Sequence, residues 1–254
     1  MGIDLDAFVR TFLNTREFGQ VFPVLLAVGL RNTITLAISA ILLALLFGLL
    51  IALLLVSGNV VLQAIGRVYV DVFRGLPAIL TILLIGSGLP IAGIRPFGRE
   101  TYLYAILALA IINAAYISEI FRSGIQSVER GQMEAARALG LSYLKTMRLV
   151  IVPQGIRRVL PALTNQFIVC IKESSFVYLL GLSAGQRELF TIGQDQDGAT
   201  GGLTGLVAAA LVYLAITIPL TYAVNALDRR LREGSSQRAP TVASIPPTVA
   251  AEAA

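Results

Sequence analysis

Five stretches of this chain are long and apolar enough to cross a lipid bilayer as helices, and that property removes most folds from consideration. A hydrocarbon core roughly 30 Å thick needs ~20 apolar residues at helical rise. Without water there, every backbone N–H and C=O must be satisfied inside the spanning element. The hydropathy pattern predicts spans at about Thr33 to Val56, Val70 to Pro90, Thr101 to Phe121, Leu160 to Leu182 and Leu203 to Ala226. A further apolar stretch, Val21 to Leu30, either extends the first span or lies in the interface, because Arg31 and Asn32 interrupt the run. Composition agrees: 56% hydrophobic and 14% charged residues, with mean hydropathy +0.78, describe an all-α integral membrane protein.

Several chemistries are excluded by what the chain lacks. The formal net charge of +5 is spread over loops and the C-terminal tail, a distribution that suits orientation in a bilayer better than nucleic acid. There is no histidine and one cysteine, Cys170, so a Cys/His zinc site, an internal disulfide and histidine catalysis are all ruled out. Cys170 lies in an apolar run and reads as a packing residue. No glycine-rich phosphate loop precedes either lysine, Lys145 or Lys172, so the chain does not bind ATP in that way. No catalytic residue, metal ligand or cofactor of its own is expected. The first twenty residues carry Asp4, Asp6, Arg10, Arg16 and Glu17 and do not resemble a cleavable signal peptide, so the first span is expected to target the membrane itself.

Five spans place the termini on opposite sides. Arg130, Arg137, Lys145, Arg148, Arg157 and Arg158 cluster between the third and fourth spans, and Arg229, Arg230, Arg232 and Arg238 follow the fifth. Basic residues accumulate on the cytoplasmic side, so the N-terminus is expected outside and the C-terminus inside. The resulting organisation is an extracytoplasmic segment over residues 1–20 and a membrane domain over 21–232 with a cytoplasmic connection at about 123–159. A tail at 233–254, rich in Ser, Ala, Pro and Thr, is expected to be disordered. Pro77, Pro90, Pro161 and Pro219 fall in or near spans and read as kinks or hinges.

Within the cytoplasmic connection, Gly131 to Gly140 forms a charged, alanine-rich island. Arg130, Glu134 and Arg137 recur at helical spacing and predict ion pairs along one face, while Ala135 and Leu139 line another. Gly140 stands where a left-handed helix terminus needs glycine. Ser142 suits the N-cap of a second short helix, which Pro153 is expected to close. Such a helix-turn-helix serves either as a plain interfacial link or as a docking element, for which Ala135 and Ala136 allow close approach of another protein.

Glu134-Ala135-Ala136 followed by Gly140 resembles the EAA motif of the membrane subunits of ATP-binding-cassette importers. Phe73-Arg74-Gly75-Leu76-Pro77, the stretch Ala115 to Val128, Val152 to Arg157, and Ile171-Lys172-Glu173-Ser174-Ser175 resemble the branch that imports polar amino acids. The matches run in order from about Leu30 to Glu233. Leu76 stands where the branch usually has threonine, Ser118 where alanine is common and Glu173 where aspartate is common.

The resemblance implies a type I importer permease in a bacterial inner membrane. It implies a second permease subunit, identical or related, two ATP-binding subunits that hold ATP and Mg, and an extracytoplasmic amino-acid-binding protein. It further implies that Gly131, Glu134, Ala135, Ala136, Arg137 and Gly140 couple the chain to the separate ATPase.

Polar groups inside spans are costly in lipid and mark a pathway, a gate or a partner contact. On that ground Arg74, Asn113, Glu119, Asn165, Gln166, Lys172 and Glu173 are the candidates, with Lys172 and Glu173 expected near the middle of the fourth span. Pairing of Lys172 or Glu173 with Arg74, Glu119 or Arg122, or with the opposite subunit, would instead hold the bundle together. An ion-coupled secondary carrier is the alternative function, although inverted halves are not evident.

Overall fold

The computed structural model describes residues 4–236, and all regular structure among them is helical. α1 (Leu5–Phe12) and α2 (Thr15–Val24) begin at side-chain caps, with Asp4 accepting from the Ala7 N–H and Asn14 from those of Arg16 and Glu17. α2 passes through a π-helical turn, Leu25–Gly29, into α3 (Leu30–Leu55) without leaving helical geometry. The Val21 to Leu30 stretch therefore extends the first span, and residue 20 lies inside α2 rather than at a boundary. Asn32 does not break the helix, because its Nδ2 donates to the carbonyls of Gly185 and Arg187, both at 2.9 Å.

The expected second span is broken. α4 (Val60–Gly75) and the segment Ala78–Ile91 meet at 106°. That segment comprises α5 (Ala78–Leu83), a π-helical turn at Leu84–Gly88 and α6 (Leu89–Ile91). Pro77 clashes with a helical residue before it and drives Leu76 to φ −81, ψ 138, which ends α4.

α7 (Thr101–Gln126) leads to α8 (Arg130–Ala138) and α9 (Tyr143–Thr146). A π-helical turn, Met147–Ile151, joins α9 to α10 (Val152–Glu173). After 3-10 turns at Ser174–Leu180 and Ala184–Gln186 come α11 (Leu189–Thr200) and α12 (Thr204–Ser236). Residues 233–236 of the expected tail are thus helical, and 237–254 lie outside the described residues.

By length and composition, Leu5–Leu55, Thr101–Gln126 and Thr204–Arg230 can each cross a membrane, and the bent pair makes up to four spans. α10, the expected fourth span, is not among them and carries Arg157, Arg158, Lys172 and Glu173. α7 is central: 67% of its most apolar window is buried within the chain, against 33% for the first helix and 22% for α12.

α3 and α7 approach closely because their shared face is built of small residues. Ala37, Ala40 and Ala44 meet Ala105, Ala108 and Ala114, all fully buried. At Gly48 a Cβ would lie 2.7 Å from Ile117 Cγ2. Cys170 packs in the same core with its Sγ 3.9 Å from the Ala37 carbonyl. A second cluster, including Val21, Leu25, Leu189, Ile192 and Val212, binds α2 to α11 and α12.

Candidate functional site

The island is a helix with a defined end. α8 closes through a glycine C-cap: Gly140 has φ +82, its N–H donates to the Arg137 carbonyl at 3.0 Å, and the Leu141 N–H donates to Ala136 at 3.2 Å. A side chain at that φ would be strained, which is why glycine is required there. Ser142 Oγ accepts from the Lys145 N–H at 3.4 Å and starts α9. The expected ion pairs along Arg130, Glu134 and Arg137 do not form; Arg137 Nη1 donates instead to the Leu141 carbonyl at 2.9 Å. That bond locks the turn between the two helices.

The two alanines have different environments. Ala136 is buried against the chain, whereas Ala135, Glu134, Gly131 and Arg137 are exposed. Leu139 at 84% and Leu144 at 76% exposure extend this face as apolar surface with no intrachain cover.

Pro153 does not close the second helix as expected. It falls in the first turn of α10, immediately after the π-helical turn Met147–Ile151, so the helix continues from Tyr143 to Glu173. A π turn shifts the hydrogen-bond register by one residue, which accommodates a proline that lacks an N–H. α8 is held at its base where α7 and α10 cross at Gly124 and Gly155, by an Arg158 bond to the Ser127 carbonyl, and by a 3.5 Å contact of Gln154 with Gln132.

Three of the seven polar candidates converge. Asn113, fully buried on α7, donates through Nδ2 to the Leu109 carbonyl at 2.9 Å and to Glu173 Oε2 at 3.0 Å. Its Oδ1 accepts from Gln166 Nε2 at 2.8 Å. This bridge ties α7 to α10 and leaves Glu173 Oε1 without a donor among the described residues.

Lys172 and Glu173 occupy the C-terminal end of α10 rather than the middle of a span. Lys172 and Asn165 are exposed and take no part in the bridge. The pairings within the chain considered for Lys172 and Glu173 are not made; Glu119 is held by Arg122 through contacts of 3.1, 3.2 and 2.6 Å. Arg74 stacks instead over the Tyr116 ring, 5.3 Å from its centroid.

Sequence reading missed Glu188. It is fully buried at the start of α11 and accepts from the N–H groups of Phe190 at 2.6 Å and Thr191 at 2.7 Å. Thr191 Oγ1 at 2.5 Å and the Tyr213 hydroxyl at 3.1 Å also donate to it. Burial pushes its carboxyl above the usual carboxylate range, partly offset by these donors. Asp197 likewise caps α12, accepting from Gly205 at 2.6 Å and Leu206 at 2.9 Å. The signal for Glu188 was a carboxylate three residues before a threonine at a helix start, which is easily lost among loop residues.

The described residues thus form a helical bundle with apolar, span-length helices and a capped helix-turn-helix between α7 and α10. The chain belongs to the family of binding-protein-dependent transport system inner membrane components, whose profile matches residues 44–233. It is 35% identical over 205 residues to a probable glutamine ABC transporter permease protein, GlnM, of Bacillus subtilis, covering 81% of this chain and 92% of the relative. It is 33% identical over 207 residues to the glutamate/aspartate import permease protein GltK of Escherichia coli, covering 80% and 91%. Among solved structures, the crystal structure of an amino acid ABC transporter with histidines superposes at TM-score 0.72 with 32% identity, covering 91% of this chain and all of that one. The fold is that of a type I importer permease.

Proposed function

We propose that this chain forms the translocation pathway of an ATP-driven importer for a polar amino acid. An extracytoplasmic binding protein delivers the substrate, and two separate ATP-binding subunits supply ATP, Mg and hydrolysis. A second permease subunit, identical or related, completes the pathway in a bacterial inner membrane. The N-terminus lies outside, while α8 and the C-terminus lie in the cytoplasm, on the basic side of the chain. This topology needs the bent pair and α10 each to cross the membrane once, α10 with its polar groups against the second permease subunit.

The observation that carries this reading is the geometry of α8. Its exposed Ala135 and Leu139 form a short face of small and apolar groups beside the charged Glu134, closed by Gly140 and joined to α7 and α9 through short connections at 127–129 and 139–142. A helix rooted in this way moves with the bundle as a rigid body, so closure of an ATPase pair against it changes which side of the pathway is open. The Asn113–Gln166–Glu173 bridge is the polar station along that pathway, and Glu173 Oε1 offers an acceptor to a substrate ammonium group. Relatives named for glutamine and for glutamate/aspartate support a polar amino acid as cargo.

The test is to purify the chain with its co-eluting subunits, reconstitute it with its binding protein, and measure ATP-dependent uptake. Ala135→Trp should abolish substrate-stimulated ATPase activity while the bundle stays folded. Full stimulation in that variant, or uptake driven by an ion gradient without ATP, rejects the reading.

A further inference from the structure

We propose that the chain binds an anionic diacyl phospholipid between α4 and α8. At the α8 end of the bundle lies a cavity of about 1060 Å³. Its wall includes Leu55 and Val56 after α3, Gln63 and Arg67 on α4, and Arg130 at the first position of α8. Glu119 and Arg122, also in the wall, neutralise each other as an ion pair. Glu129 borders the cavity as well, yet no carboxylate among the described residues reaches ion-pair distance of Arg67 or Arg130. Arg67 makes only a 3.3 Å contact with Gln63, four residues earlier. Two guanidinium groups thus face one space without carboxylate partners.

The second half of the argument is an apolar groove of about 270 Å³ lined by Phe47, Ile51, Leu54, Ile65, Gly66 and Ile111. It exposes almost no polar surface and is continuous in sequence with the cavity: Leu54 is followed by Leu55, and Gly66 by Arg67. Along α3 and α7 the groove residues are farther from α8 than the cavity residues, so the groove lies deeper in the membrane. A free inorganic anion would satisfy the arginines and leave the groove empty. A phospholipid satisfies both, with its phosphate between Arg67 and Arg130 and an acyl chain along α3 and α4. Because Arg130 starts α8, such a lipid braces the α8 helix against α4. The proposal requires only that the chain is embedded in lipid, so it stands or falls separately from the transport reading.

The full chain with its co-purifying subunits, reconstituted in nanodiscs containing equal phosphatidylglycerol and phosphatidylcholine, tests this by native mass spectrometry. Phosphatidylglycerol should be retained in preference to phosphatidylcholine. Arg67→Gln with Arg130→Gln should weaken retention by about 30-fold, from a step of roughly five- to sixfold per arginine. Arg67→Lys with Arg130→Lys should retain most of it, and this pair also serves if the glutamine variant fails to fold. Ile65→Trp, which fills the groove, should reduce retention with both arginines intact. Equal retention of the two lipids, unchanged retention in the folded glutamine variant or in Ile65→Trp, or displacement by millimolar inorganic phosphate overturns the proposal.

Discussion

Gly124 on α7 and Gly155 on α10 meet backbone to backbone: a Cβ at Gly155 would stand 3.1 Å from the Gly124 carbonyl oxygen. Val159 closes the same contact from the next turn of α10. This crossing sets the base from which α8 projects, and it tolerates no branched side chain. Gly155→Val should separate the two helices and cost about 1–3 kcal/mol. A thermal midpoint in detergent equal to wild type would refute it.

The positive φ of Gly140 makes a second prediction. Any side chain there forces a left-handed residue that costs roughly 1–2 kcal/mol, and the α8 to α9 turn yields before the bundle does. Gly140→Val should leave global melting nearly unchanged and lower substrate-stimulated ATPase activity of the assembled complex. Gly140→Asn, better tolerated in that conformation, should lose less. Equal activities for the two variants would contradict the cap argument.

Removal of Asn113 leaves one buried and one half-buried partner unsatisfied. Asn113→Ala strips Glu173 of its only side-chain donor among the described residues and Gln166 of its acceptor, each loss worth about 1–3 kcal/mol. Glu173→Gln keeps the volume and removes the charge. On the proposed reading it raises KM for the amino acid more than it lowers the melting temperature. A KM unchanged by Glu173→Gln in a folded transporter places the bridge in packing alone.

Glu188 makes a pH-dependent prediction. Its carboxyl is raised by burial, so the folded state holds the proton more tightly than the unfolded chain. That contribution is fullest below the unfolded carboxylate value near about pH 4 and declines as pH rises through the raised folded value. The melting-temperature difference between wild type and Glu188→Gln should therefore shift against wild type as pH rises from about 4. A difference that does not vary with pH shows that the carboxyl titrates alike in both states.

Sequence reading succeeded where the determinant is local. Gly140 and Ser142 announce a helix end and a helix start because each acts on backbone groups within three residues. Pro153 misled because its effect depends on the hydrogen-bond register of the preceding turn, which the π turn at Met147–Ile151 had already changed. Arg130, Glu134 and Arg137 have the spacing of an ion-pair row, but the free Leu141 carbonyl captured Arg137 first. Pro77 was legible as a kink, whereas the 106° angle was not, because the packing of the flanking segments sets how far a broken helix turns.

What the sequence determined by itself is residence in a membrane as a helical bundle carrying one short, capped helix pair. Apolar run length, small residues and turn glycines act over a few residues, so their consequences can be read in order along the chain. Only the tertiary structure decided that Asn113 joins Gln166 and Glu173 across 53 and 60 residues, that Lys172 stays outside this bridge, and that Glu188 is buried under Tyr213. A polar group in a low-dielectric interior must find a partner. Which partner it finds depends on the rotation and register of helices packed from distant parts of the chain, and no local pattern encodes those.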